Sequence, residues 1–286
     1  MPFHDVPSDK GLATRALSLA YGRTSIIDGL DVAFPTGAFS ALIGPNGSGK
    51  STLLRALAGL LSPRAGHVLL DGASISRLPA KEMARQVGML PQGPVAPEGL
   101  TVEALVRQGR YPHRTLFGLW SERDHQACED ALRLTGMDEL RERPLDSLSG
   151  GQRQRAWLAM ALAQETGTLL LDEPTSFLDL AHQIDVMEVI TDLVCERGKT
   201  VIAVLHDLNQ AARYADHMVM LKQGRVIAAG PPARLMSAET IEQVFGVRTH
   251  IVADPVTGTP MCVPLGRCRR QSPSSAGREG RPALSE

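Results

Sequence analysis

Three short runs, Ala38 to Ile43, Thr168 to Leu171 and Thr200 to Leu205, are apolar at almost every position instead of alternating with polar residues. A strand of that kind has no face fit for water, so it is predicted to lie in a parallel sheet covered by helices on both sides. Helical spacing fills the intervals between the runs. Thr52 to Leu61 follows the first, and Gln183 to Arg197 sets Ile184, Met187, Ile190 and Leu193 along one stripe between the second and third. This alternation predicts an α/β fold with right-handed crossovers.

One stretch interrupts the alternation. Residues 93–163 carry helical patterns broken by Pro94, Pro97, Pro112 and Pro144, which predicts an inserted helical lobe. After Gly230 come two prolines, a short helix ending near Phe245, and a hairpin around Asp254 to Thr259. The tail 267–286, rich in Ser, Gly, Pro and Arg, is predicted to be disordered, and residues 1–14 a flexible N-terminus, leaving 15–266 as the folded unit. No internal repeat occurs, so the chain holds one set of chemical motifs.

Composition narrows the picture. A chain of 286 residues that is 43% hydrophobic and 21% charged has the balance of a soluble globular domain. Its formal net charge of −1 supplies no global field for nucleic acid phosphates, so nucleic acid is not an expected partner. Cys128, Cys195, Cys262 and Cys268 form no CxxC pair, which points to neither a zinc site nor a disulfide framework and fits a reducing compartment. The first ten residues lack the basic and apolar segments of a secretory signal, and no apolar stretch approaches the roughly 18 residues that span a bilayer.

The chemistry begins after the first strand. Gly44, Pro45, Asn46, Gly47, Ser48, Gly49, Lys50, Ser51 and Thr52 follow the pattern G-x-x-x-x-G-K-[ST] between a strand and a helix. The glycines allow a tight turn whose N–H groups converge on phosphate oxygens, and the helix that follows adds its positive dipole end. Lys50 is expected to reach the β- and γ-phosphates, and the Ser51 hydroxyl to ligate Mg2+. The second apolar strand ends in Asp172 and Glu173, at the edge where open α/β sheets bind ligands. Asp172 suits the Mg2+ shell, and Glu173 suits the attacking water. The third strand delivers His206 to the same edge as a γ-phosphate contact. The other histidines, His182 among them, are read as structure or surface.

Leu148-Ser149-Gly150-Gly151-Gln152 opens a further predicted helix, Gln152 to Gln164, and makes a second glycine-rich helix N-terminus with a hydroxyl. One nucleotide needs one cradle, so the second is expected to serve the nucleotide of another copy. The sequence LSGGQ, together with GPNGSGKST and LLLDEP in this order, resembles the ABC ATPase family. That resemblance implies a P-loop NTPase with a RecA-like core, a small antiparallel β-subdomain and the inserted α-helical subdomain. It implies ATP hydrolysis with Mg2+, adenine stacking on Tyr21, and Gln92 in the Mg2+ and water shell. Ser149, Gly151 and Gln152 would face the opposite subunit's γ-phosphate, and the loop Ser176 to Asp179 would cross the dimer interface. All the motifs of an active site are present.

The segments around Tyr111-Pro112-His113, SFLDLAHQIDVMEV and AVLHDLNQAARYADHMVML resemble the importer branch for iron-siderophores, haem and cobalamin, with ferric siderophore ATPases the nearest likeness. The resemblance implies a homodimer on the cytoplasmic face of the bacterial inner membrane. Its partners would be transmembrane permease subunits, docked near Pro94 to Tyr111, and indirectly a periplasmic or extracellular substrate-binding protein. Haem or cobalamin import is the alternative, followed by a non-transport ABC ATPase acting on nucleic acid or ribosomes. The second of these normally brings paired cassettes, a coiled coil or a basic arm, and none is seen here. A kinase or GTPase would leave LSGGQ without a role.

Overall fold

The computed structural model of the protein describes residues 10–114 and 119–265. The chain enters through β1 (Leu12–Tyr21), β2 (Thr24–Ala33) and β3 (Phe39–Ile43), then α1 (Lys50–Leu57), β4 (Ala65–Leu70), β5 (Ala73–Ser74), α2 (Ala80–Gln86) and β6 (Val87–Leu90). The helical lobe follows as α3 (Val102–Gln108), α4 (Glu122–Leu134) and α5 (Gly150–Ala163). The chain then returns through β7 (Thr168–Asp172), α6 (Leu180–Cys195), β8 (Thr200–Val204), α7 (Leu208–Tyr214), β9 (His217–Lys222) and β10 (Arg225–Gly230). It closes with α8 (Pro232–Leu235), α9 (Ala238–Phe245) and the hairpin β11 (Thr249–Ala253) and β12 (Pro260–Pro264).

The main sheet has the order β10-β9-β3-β8-β7-β6. Its ladders are parallel except for β10, which pairs antiparallel with β9. A second sheet, β2-β1-β4-β5, is antiparallel throughout. The three apolar runs are the three central strands β3, β7 and β8, and every residue of them is buried.

Period-two alternation divides the core cleanly. Phe39, Ala41, Ile43, Leu169, Leu171, Val201 and Ala203 face a core shared with α3, α5, α6 and α7. Leu42, Leu170, Ile202 and Val204 face the opposite core, built with α1 and the antiparallel sheet. The helical cover on one face and the mixed cover on the other explain why these strands are apolar on both faces at most positions.

Several boundaries differ from expectation. Residues 12–14, assigned from sequence to a flexible N-terminus, are the start of β1, and Leu12 and Thr14 are fully buried. Helix α1 begins at Lys50, inside the phosphate loop, and stops at Leu57 because Gly59 turns the chain left-handed with φ of 72°. Helix α6 begins at Leu180, capped by the Asp179 side chain accepting from His182 N at 3.0 Å. The tail from Arg267 and the segment 1–9 lie outside the described residues.

The helical lobe is held by one buried cation. Arg110, 1% exposed at the end of α3, donates from Nε to Asp124 Oδ1 at 2.8 Å and from Nη1 to Ala163 O at 2.7 Å and Glu165 Oε2 at 2.8 Å. It thereby joins α4 to the C-terminal end of α5, the helix that LSGGQ opens. Burial raises the Asp124 pKa, but hydrogen bonds from Ser121 and Arg110 outweigh it and bring it down to about 2. Removing the guanidinium strands Asp124 in a dry setting. Arg110→Ala is expected to lower unfolding free energy in urea by about 3 to 5 kcal/mol, with the loss shrinking in acid as Asp124 protonates.

Candidate functional site

Neighbouring parallel strands bring the chemical groups together. Strands β3, β8 and β7 lie side by side, and past their carboxyl ends come Gly44, His206 and Glu173 respectively. They form a cavity of about 360 Å³ lined by Asn46, Gly47, Gly49, Lys50, Ser51, Thr52, Gln92, Glu173 and His206. The phosphate loop turns at Gly44 because no other residue fits: a Cβ there would stand 2.1 Å from the Leu221 carbonyl oxygen. Gly49, with φ of 100°, supplies the left-handed turn from which α1 starts.

Lys50 is 6% exposed, and its Nζ donates to Gly44 O at 2.7 Å and Pro45 O at 3.1 Å. Burial lowers its pKa from the ordinary lysine value, against the pull of Glu173 and Asp172. Its ammonium is thus positioned by its own loop beside two carboxylates.

Asp172, 1% exposed, accepts a hydrogen bond from Ser51 Oγ at 2.8 Å through Oδ1, while its buried Oδ2 has no partner. Burial pushes its pKa up, with the Ser51 bond opposing. A buried carboxylate oxygen left unpaired is costly unless something claims it. Hard oxygen donors from one hydroxyl and one carboxylate, beside a phosphate loop, fit a Mg2+ that keeps several of its ligands from elsewhere.

Glu173 is held by three side chains. Its Oε1 lies 2.6 Å from His206 Nε2, and its Oε2 accepts from Gln92 Nε2 at 2.7 Å and from Ser176 Oγ at 2.8 Å. Its backbone is left-handed, φ 55°, a conformation that costs about 1 to 3 kcal/mol and that packing must impose. Burial raises the Glu173 pKa, but hydrogen bonds from His206 and Ser176 prevail and hold it below the usual glutamate value. Ser176 was assigned from sequence to the interface loop alone; its hydroxyl three positions after Glu173 was the available signal for this second contact.

The remaining sequence candidates lie elsewhere. Tyr21, at the end of β1 in the antiparallel sheet and 45% exposed, does not line the cavity. Nor do Ser149, Gly151, Gln152 and Asp179. Ser149 and Gln152 form a reciprocal capping box at the start of α5, Ser149 Oγ accepting from Gln152 N at 3.2 Å and Ser149 N donating to Gln152 Oε1 at 3.1 Å. His182, assigned from sequence to structure or surface, accounts for the glycine at 151: a Cβ there would be 2.4 Å from the imidazole. Its Nδ1 lies 2.6 Å from Asp179 Oδ1, so one histidine joins the LSGGQ helix to the following loop.

The fold and the cleft define a P-loop nucleoside triphosphatase. Residues 27–176 match the family described as ABC transporter. The chain is 51% identical over 260 residues to the ferric enterobactin transport ATP-binding protein FepC of Escherichia coli K12, covering 91% of this chain and 95% of that one. It is 50% identical over 258 residues to a siderophore transport system ATP-binding protein, YusV, of Bacillus subtilis 168, covering 90% and 94%. Among solved structures, an inward-facing metal-chelate type ABC transporter superposes with a TM-score of 0.78 at 29% identity, over 91% of this chain and 98% of that chain. A dimeric ATP-binding cassette in a post-hydrolysis state with ADP and phosphate superposes with a TM-score of 0.67 at 26% identity, over 77% and 98%. The chain belongs to the ABC transporter family as one of its ATP-binding proteins, and it is an ATPase.

The grip on Glu173 is directly testable. Ser176→Ala removes one of the hydrogen bonds that hold the carboxyl ionised, so the Glu173 resonance followed by carbon-13 NMR should titrate at higher pH in the variant. An unchanged or lower titration point would contradict the assignment of that contact.

Proposed function

We propose that this chain powers a membrane importer for iron(III)-siderophore complexes, binding and hydrolysing ATP as a dimer on the cytoplasmic face of the bacterial inner membrane. The observation that carries the cargo is the 51% identity to a ferric enterobactin transport protein across 91% of the chain. Relatives for cobalamin import are 40% identical over 254 residues, which favours a siderophore over cobalamin.

The geometry supports the roles proposed for the residues at the strand ends, and the family resemblance supports that of Tyr21. ATP lies with its phosphates over Gly44 to Thr52 and its adenine against Tyr21. Ser51 and Asp172 hold Mg2+, with Gln92 contributing to its shell. A cation held there would offset the negative charge of the triphosphate. Lys50 and the loop N–H groups stabilise the charge that develops on the transferring phosphoryl group. Glu173, ionised, orients and accepts a proton from the attacking water, while Gln92, Ser176 and His206 fix its carboxylate. His206 also contacts the γ-phosphate.

Ser149, Gly151 and Gln152 sit outside the cavity of their own chain, which supports their serving the nucleotide of a second copy. The loop after Glu173 supports the same reading: Phe177 is 96% exposed in a left-handed conformation and Leu180 is 72% exposed, an apolar edge that a second copy would cover. Asp179 lies between these two residues and would face the interface with them.

Among the described residues, no helix is long and apolar enough to cross a membrane, so separate permease subunits would carry the cargo. They would dock on the segment from Pro94 to Tyr111, where Val95 is 91% and Tyr111 78% exposed. Arg85 on α2 donates to Pro112 O at 2.9 Å, joining this segment to the edge of an apolar cavity of about 460 Å³ lined by Leu60, Leu61, Leu78 and Met83. A substrate-binding protein outside the membrane would deliver the complex to those permeases.

Uptake of labelled ferric siderophores, haem and cobalamin, measured in cells lacking this protein and resupplied with the intact chain or with Glu173→Gln, tests the proposal. Restoration of ferric siderophore uptake by the intact chain alone is the expected result. Restoration of only haem or cobalamin uptake overturns the cargo, and restoration by Glu173→Gln overturns the catalytic role.

A further inference from the structure

A line of side-chain amides runs from the C-terminal hairpin to the loop that follows Glu173. On α7, the Asn209 side chain grips one residue of β12 from both sides: its Oδ1 accepts from Cys262 N at 2.7 Å, and its Nδ2 donates to Cys262 O at 3.2 Å. The next residue, Gln210, donates from Nε2 to Gln183 Oε1 on α6 at 2.6 Å. Gln183 in turn donates from Nε2 to Leu178 O at 3.0 Å.

The amide orientations are fixed by their partners. Leu178 O can only accept, so Gln183 must turn its nitrogen there and its oxygen towards Gln210. Cys262 presents an N–H and a carbonyl side by side, which sets Asn209 equally firmly. No link in the line is interchangeable.

The two ends of this line matter to the site. Only Leu205, His206 and Asp207 separate β8 from α7, and Asp207 Oδ1 caps that helix by accepting from Asn209 N at 2.7 Å and Gln210 N at 3.0 Å. The placement of α7 therefore fixes where His206 can stand against Glu173. At the other end, Leu178 lies between Phe177 and Asp179 in the loop assigned above to the dimer interface.

We propose that Asn209, Gln210 and Gln183 are positioning residues that hold His206 and the interface loop in register within one chain, with the hairpin as their anchor. A second copy pressing on the loop then adjusts the same framework that seats His206 on Glu173, which couples dimer closure to hydrolysis. This rests on the roles proposed above for His206, Glu173 and the loop. It adds a task for the hairpin, which lies beyond residues 27–176, the part matched to the family.

The test uses the full-length chain with Mg-ATP. Gln210→Met and Gln183→Met keep side-chain length and packing but delete the hydrogen bonds. Each single variant should lower kcat about two- to tenfold with KM for ATP unchanged, while its thermal midpoint falls by no more than a few degrees, the scale of one or two lost hydrogen bonds. The double variant should match the singles, because all three break one bridge. Losses that multiply in the double variant, unchanged kcat in either single, or a kcat that recovers when the assay is run well below the variant's thermal midpoint would each overturn the relay. If the intact chain itself hydrolyses no ATP, it is the reading of Glu173 that falls, and the relay with it.

Discussion

The spacing of neighbouring strands in a parallel sheet, about 4.8 Å, is the constraint on which the rest of this molecule depends. It puts the ends of β3, β8 and β7 within reach of one ligand, so that Lys50, His206 and Glu173 line a single cavity, with Asp172 behind it on Ser51. Such crowding is unfavourable without compensation. Asp172 is buried with one oxygen unpartnered, and Glu173 stands in a left-handed conformation under hydrogen bonds from three side chains. The two cores on either face of the sheet hold these groups in place. Lys50 and the loop N–H groups suit the negative charge of a triphosphate, and the unpartnered oxygen of Asp172 would suit the cation proposed to accompany it.

Much of this was legible in the sequence because the central strands are apolar on both faces. Leu169, Leu170 and Leu171 read as a strand covered on both sides, and Asp172 and Glu173 follow them directly. The antiparallel sheet was less visible strand by strand. Strand β2 has exposed Thr24, Ser25, Asp28 and Gly29 among its buried positions, and β1 pairs with shifted register, so their hydrophobic pattern is diluted. Its existence came from family resemblance and not from periodicity.

The contacts that sequence reasoning missed share a physical cause. Ser176 on Glu173, His182 against Gly151 and the line Asn209-Gln210-Gln183 all join residues by hydrogen bonds or close approach, which leave no period in the chain. His182 was set aside because a lone histidine on a helix usually has a structural part to play. Here that part is to pack on the glycine of LSGGQ while its Nδ1 meets Asp179, so two motifs proposed to face a neighbouring copy are tied to each other.

The phosphate-loop cavity and the LSGGQ helix of one chain are proposed as halves of different sites, and the central claim is that two copies complete both. Sedimentation equilibrium of Glu173→Gln, with and without Mg-ATP, measures this most directly. A variant that binds ATP without hydrolysing it should be a monomer alone and double its mass with Mg-ATP, and Ser149→Arg should abolish the doubling. A Glu173→Gln chain that binds Mg-ATP yet stays monomeric would contradict the account.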